Sequence, residues 1–143
     1  MIGLGLAKVN GRSMEPTLHT GDRLLVLRGA RPKLGRMAIV KLPPDDQGIP
    51  RPLAIKRVTM VDPADPSRYW VEADNQGAQG VVDSWTLGTS LPREDIKGRV
   101  LFRLPQRLPL VALLVGTFLG PLRQRLPLAS LVRGPRAGRS GRG

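Results

Sequence analysis

Two side chains in this 143-residue sequence could make and break an acyl bond together, a serine on a bend and a lysine on an apolar strand. The segment Gly11-Arg12-Ser13-Met14-Glu15-Pro16-Thr17-Leu18, followed by Gly21-Asp22, reads as a strand ending at Gly11. A bend then presents Ser13, and Pro16 fixes a turn into the next strand. Serine is also ordinary turn material, so this segment alone allows either a nucleophile or a turn residue. In Leu53-Ala54-Ile55-Lys56-Arg57-Val58, the pleat puts Ala54, Lys56 and Val58 on one face and Ile55, Arg57 and Thr59 on the other. A free lysine holds its proton to a pH of about 10.4, so a lysine base must be desolvated. Apolar neighbours on its own face provide for that. A solvated strand lysine with a packed stem satisfies the same pattern.

A third segment runs Ala73-Asp74-Asn75, then Asp83-Ser84, Gly88, and Leu91-Pro92-Arg93-Glu94-Asp95-Ile96-Lys97-Gly98-Arg99-Val100. Its Asp-Asn and Asp-Ser pairs around glycines are turn formers in general. The single histidine, His19, lies six residues beyond Ser13 on the same turn and is expected at the surface. Cysteine is absent, which removes disulfides, thiolate metal sites and a cysteine nucleophile together. With no metal-binding cluster and no glycine loop for phosphate, neither a metal nor a cofactor is expected.

Short apolar runs separated by Gly, Pro and Asp must position these residues. Strands are expected near Leu6–Val9, Arg23–Arg28, Met37–Leu42, Leu53–Val61, Tyr69–Ala73 and Arg99–Leu104. Each is too short for a helix and rich in Val, Ile and Leu. Loops fall at Pro43–Pro52 and Asp62–Arg68, and one helical turn fits Pro92–Ile96. The expected fold is therefore all-β, a domain over residues 1–106 with hairpin-like connections and a core of aliphatic rather than aromatic side chains.

Charge separates the chain into two parts. Residues 1–106 carry 16 Lys and Arg against 11 Asp and Glu, whereas residues 107–143 carry 7 Arg and no acid. Basic excess in a tail points to a polyanion or lipid surface as its partner, although 18 Arg to 5 Lys, with abundant Gly and Pro, also follows from a GC-rich genome. The apolar run 108–122 falls short of the roughly 18–20 residues a span needs, and the Arg/Gly-rich end after it is expected to be disordered. The ten residues ahead of Gly11 are too short for a signal peptide or anchor. A cytoplasmic location is expected on that ground, with membrane association through residues 107–143 and the plasma membrane as the alternative.

The ordered series Ser13-Met14-x-Pro16-Thr17, Gly21-Asp22, Lys56-Arg57-Val58, Asp74-Asn75, Asp83-Ser84 and Pro92-x-x-x-Ile96-x-Gly98-Arg99-Val100 resembles the type I signal peptidase family and the self-cleaving repressors of the same clan. The resemblance runs from about Val9 to Arg103. It implies a β barrel of short strands, with Ser13 as nucleophile and oxyanion donor through its backbone N–H, and Lys56 as general base. Gly11, Met14, Pro16, Arg57, Asp74, Asn75, Asp83 and Ser84 would support that site. The sequence departs from the family where Gly11 replaces a hydroxyl residue, Ala73 and Met60 replace glycines, and Trp85 replaces Arg. The loop after Asn75 also looks longer than usual.

The start Val9-x-Gly11-x-Ser13-Met14 is similar to maturation proteases of nickel-type superoxide dismutase. That likeness implies removal of a leader or propeptide, bound as an extended strand, from the dismutase precursor. Signal peptidase-like processing of exported precursors is the alternative within the enzyme class. A non-catalytic basic binding domain is the alternative outside it. Specific nucleic-acid binding is not expected, because aromatic residues for base stacking make up only 3% of the chain.

Overall fold

The computed structural model describes residues 2–106. Seven strands form one antiparallel sheet: β1 (Gly3–Lys8), β2 (Arg23–Arg28), β3 (Met37–Val40), β4 (Ala54–Val61), β5 (Arg68–Glu72), β6 (Leu91–Pro92) and β7 (Ile96–Leu104). Their order across the sheet is β1-β2-β7-β3-β4-β5-β6, and the sheet curls into a half-barrel. A four-residue helix, α1 (Ser84–Leu87), and a 3-10 turn at Arg93–Asp95 interrupt it.

The strand at Arg23–Arg28 has the expected bounds, and the helical turn expected within Pro92–Ile96 is the 3-10 turn. Other boundaries differ from expectation, including the end of the first strand at Lys8 rather than Val9 and the start of the fourth at Ala54 rather than Leu53. The first strand begins at Gly3 rather than Leu6, and the third ends at Val40 rather than Leu42. The fifth runs Arg68–Glu72 rather than Tyr69–Ala73, and the last begins at Ile96 rather than Arg99. Helix α1 occupies a stretch expected to be a turn. The expectations for residues 107–143 lie outside the described residues.

Alternation along the strands sorts the apolar side chains onto two faces. On one face, Ala38, Val40, Val58, Val71, Leu91 and Ile96 form a core with Leu42, and Ala54, Val82 and Leu87 pack against it. On the other, Val9, Met14, Leu18, Leu24, Val26 and Val100 form a second core, joined by Ala7, Met37, Ile39 and Ile55. β3 and β4 contribute to both, so the middle of the sheet is covered on its two sides. β2 and β7 approach closely at Gly98, where an added Cβ would meet Val26 Cγ1 at 2.8 Å and the Leu27 carbonyl at 3.0 Å. Only glycine fits there.

Candidate functional site

The pleat of β4 falls as expected. Ala54 and Val58 belong to the first core and Ile55 to the second. Lys56 lies between Ala54 and Val58, opposite Ala38 of β3, and is 3% exposed. No residue within salt-bridge distance pairs with it among the described residues. Nor does its Nζ make a hydrogen bond there, yet Nζ is not fully enclosed, since Trp70 Nε1 alone among the described residues is both enclosed and unpartnered. The small residual exposure of Lys56 therefore includes its ammonium. Burial lowers its proton affinity, and the charge of Asp83 opposes that only in part, so its pKa lies below the usual lysine value. The lysine is buried, is not fully enclosed at its tip, and has an easier proton to lose.

Ser13 is half-buried on a bend held from three sides. Met14, 2% exposed, roots the bend in the second core. Ahead of it, the Gly11 N–H donates to Thr20 Oγ1 at 3.1 Å, and Thr20 donates back to the Gly11 carbonyl at 3.0 Å. Gly11 has φ of 99°, a backbone region that resists side chains. On the far side, the Asn75 N–H donates to the Ser13 carbonyl at 2.8 Å and its Nδ2 donates to the Arg12 carbonyl at 3.0 Å. Among the described residues the Ser13 N–H has no acceptor. The bend turns at Pro16, which is exposed and follows a cis peptide bond.

Asp74 links this bend to the lysine strand. It takes Arg57 Nε at 2.8 Å and Arg57 Nη2 at 2.6 Å, a two-point grip, and Thr17 Oγ1 at 2.6 Å. The bonds from Arg57 hold the Asp74 carboxyl below its ordinary pKa despite partial burial, with Thr17 assisting. Arg57 also donates to the Gly35 carbonyl at 2.8 Å. Residues 12–17 are thus tied to residues 74–75, and those to the residue beside Lys56. Among the described residues no hydrogen bond joins Ser13 to Lys56.

Asp83 and Ser84 have a different part from the turn expected of them. Both are fully buried. Asp83 caps α1 through Trp85 N–H and Thr86 N–H at 3.1 and 3.2 Å, and the Asp83 N–H donates to Thr86 Oγ1 at 2.8 Å. Its other oxygen takes the Ala73 N–H at 3.2 Å and Gln76 Nε2 at 2.9 Å. Burial alone would raise the Asp83 pKa, but these donors and the Lys56 charge together lower it. Ser84 Oγ accepts from the Val71 N–H at 2.9 Å. The pair satisfies backbone donors along the edge of β5 that β6 leaves uncovered, since β6 pairs only with Arg68 and Tyr69. Trp85 rests on Trp70 with ring centroids 4.9 Å apart and donates to Glu72 at 2.6 Å.

Thr17, Thr20, Gln76 and Thr86 are the participants that sequence reasoning missed. Thr86 had a readable signal, the D-x-x-T capping box closed by Gly88 at φ 66°. The others depend on partners distant in sequence. His19 is exposed, as expected. No group of three or more His, Cys, Asp or Glu that could hold a metal occurs among the described residues. No family model matches the chain, and no curated protein matches it.

Proposed function

We propose that the chain is a serine endopeptidase in which Ser13 attacks a peptide carbonyl and Lys56 acts as base. The observation that carries this reading is Lys56 itself, a buried lysine with no salt bridge among the described residues and an ammonium that is not fully enclosed. Burying such a group is unfavourable to the fold, and a perturbed lysine of this kind suits proton transfer near neutral pH. Neutral Lys56 would take the proton from the Ser13 hydroxyl as Oγ bonds to the carbonyl carbon. The Ser13 N–H would meet the oxyanion. Collapse then breaks the C–N bond, and Lys56 returns the proton to the leaving amine. A water, deprotonated by the same lysine, hydrolyses the ester.

The substrate in this reading is an N-terminal leader or propeptide bound as an extended strand. The Val9-x-Gly11-x-Ser13-Met14 start supports a nickel superoxide dismutase precursor. Its cleavage would free a new N-terminus to bind the metal. An acyl-type serine inhibitor should add one equivalent of mass to the wild-type chain and none to Ser13→Ala. Unchanged labelling of Ser13→Ala overturns the nucleophile. Coexpression with the dismutase precursor, read by intact mass, tests the substrate. A precursor that keeps its leader beside enzyme able to cleave a membrane-presented signal peptide favours the signal-peptidase alternative.

A further inference from the structure

Asn10 and Gly11 form the one Asn-Gly pair in the sequence, just ahead of the Ser13 bend. The chain holds an asparagine carboxamide and the next backbone nitrogen within reach of each other, so a reaction between them is intramolecular. Glycine in second place leaves that nitrogen unscreened. A Cβ on Gly11 would find no atom within 4 Å, and Asn10 is exposed among the described residues. The glycine is nevertheless restrained. Its N–H donates to Thr20 Oγ1 at 3.1 Å, and the same hydroxyl donates to the Gly11 carbonyl at 3.0 Å. One threonine thus engages both polar groups of Gly11. Thr20 is kept opposite by the backbone on either side, where the Val9 N–H donates to the Asp22 carbonyl at 2.8 Å and the Gly21 N–H to the Val9 carbonyl at 2.9 Å.

From this arrangement we infer that Asn10 is a deamidation site and that the Thr20 hydroxyl holds its reaction back, whatever the role of Ser13. The Gly11 nitrogen bonds to Asn10 Cγ, the Cγ–Nδ2 bond breaks, and Nδ2 leaves as ammonia with the proton from the Gly11 N–H. Water then opens the succinimide at either carbonyl and leaves aspartate or isoaspartate at position 10. No oxidant and no cofactor takes part. Before attacking, the nitrogen must give up both its bond to Thr20 and its proton, which raises the barrier. Asn75, the other asparagine, is placed differently. Its Nδ2 is tied to the Arg12 carbonyl at 3.0 Å, and the nitrogen after it belongs to Gln76, which carries a side chain. Either product at position 10 adds a negative charge. Isoaspartate also lengthens the backbone by one methylene, which displaces Gly11 from Thr20 and loosens the bend.

The full chain and its Thr20→Val and Thr20→Ser variants are aged in warm, mildly alkaline buffer, with wild type in urea as the unrestrained reference. Peptide mapping by mass reads the gain of about 1 Da at position 10, and chromatographic retention separates isoaspartate from aspartate. Folded wild type should react more slowly at Asn10 than the same chain in urea, with Asn75 slower than Asn10 in urea. Thr20→Val keeps the shape and removes the hydroxyl, and should react about fivefold faster than wild type, as loss of one ordinary hydrogen bond gives. Thr20→Ser restores the hydroxyl and should keep the slow rate. Circular dichroism confirms that each variant is folded. Hydrogen exchange at the Gly11 amide of wild type tests the restraint without any substitution, and that amide should be protected. No mass gain at position 10 in urea overturns the site. Equal rates in folded and unfolded wild type, equal rates in wild type and folded Thr20→Val, or an unprotected Gly11 amide overturns the restraint by Thr20.

Discussion

Lys56→Met keeps an unbranched side chain of nearly the same reach and removes the ammonium, so it separates what the residue does for the fold from what it does for chemistry. Lys56 is 3% exposed, and its depressed pKa comes chiefly from burial. Each unit of such depression corresponds to about 1.4 kcal/mol of stability withheld while the group is charged. The methionine variant should thus be more stable at pH 7, and each kcal/mol gained would appear as a rise of about 4–8 °C in Tm for a domain of this size. Asp83 loses a favourable charge, but its donors at Ala73, Gln76, Trp85 and Thr86 remain.

The pH dependence gives the sharper test of Lys56. Between the lowered folded pKa and the unfolded value of about 10.4, the unfolded chain binds the extra proton, so wild-type stability rises with pH. The advantage of Lys56→Met should then be full below the folded pKa and vanish near pH 10.4. Urea denaturation of both proteins at a series of pH values measures this difference. Peptide cleavage should be lost in the variant, and the wild-type rate should climb with pH through the same folded pKa. A methionine variant that is less stable at pH 7, or whose advantage does not close with pH, refutes the account of the buried ammonium. Retained cleavage refutes Lys56 as the base.

Three further outcomes follow from the anchors of the site. Asp74→Asn breaks the grip on Arg57 and should cost about 1–3 kcal/mol at neutral pH by thermal melt. Because the Asp74 pKa is lowered in the fold, wild type should hold that advantage above the ordinary Asp value of about 3.9 and lose it as pH falls through the folded pKa, where the two melts converge. Gly11→Ala, at φ 99° with open space around the missing Cβ, should cost about 1–2 kcal/mol from backbone strain alone and depress the cleavage rate through the Ser13 bend. Ser84→Ala strands the Val71 N–H and should lower stability by about 1–3 kcal/mol in chemical denaturation, more than a typical exposed Ser→Ala change.

Much of the sheet was legible because its strands carry simple alternation. The pleat of β4 could be read from Ala54, Lys56 and Val58 alone. The start of β1 was not, since Gly3 and Gly5 look like turn punctuation. The fold accepts them because Arg28 lies over both, so close that a Cβ on Gly5 would meet its Cδ at 3.3 Å. Asp83-Ser84 read as a turn because the same residue types form turns and cap helices. The tie between Thr17 and Asp74 joins residues 57 positions apart, and no local pattern encodes such a pairing. Ser13 and Lys56 were readable as candidates by type and neighbours. Their support was not, because it depends on how the strands are brought together.

The stretch between Asn75 and Asp83 is fastened at both ends and nowhere needed for length. Asn75 is fixed to the Ser13 bend, and Asp83 is fixed to the uncovered edge of β5. Between them Gly77, Gln79 and Gly80 are exposed, and Gly80 adopts a turn with φ of 72°. Residues inserted here would extend outward without shifting either fastening, because loop closure grows costlier only slowly with length. The fold thereby offers a place beside the site where a graft, an epitope or a substrate-selecting extension can be carried without rebuilding the sheet.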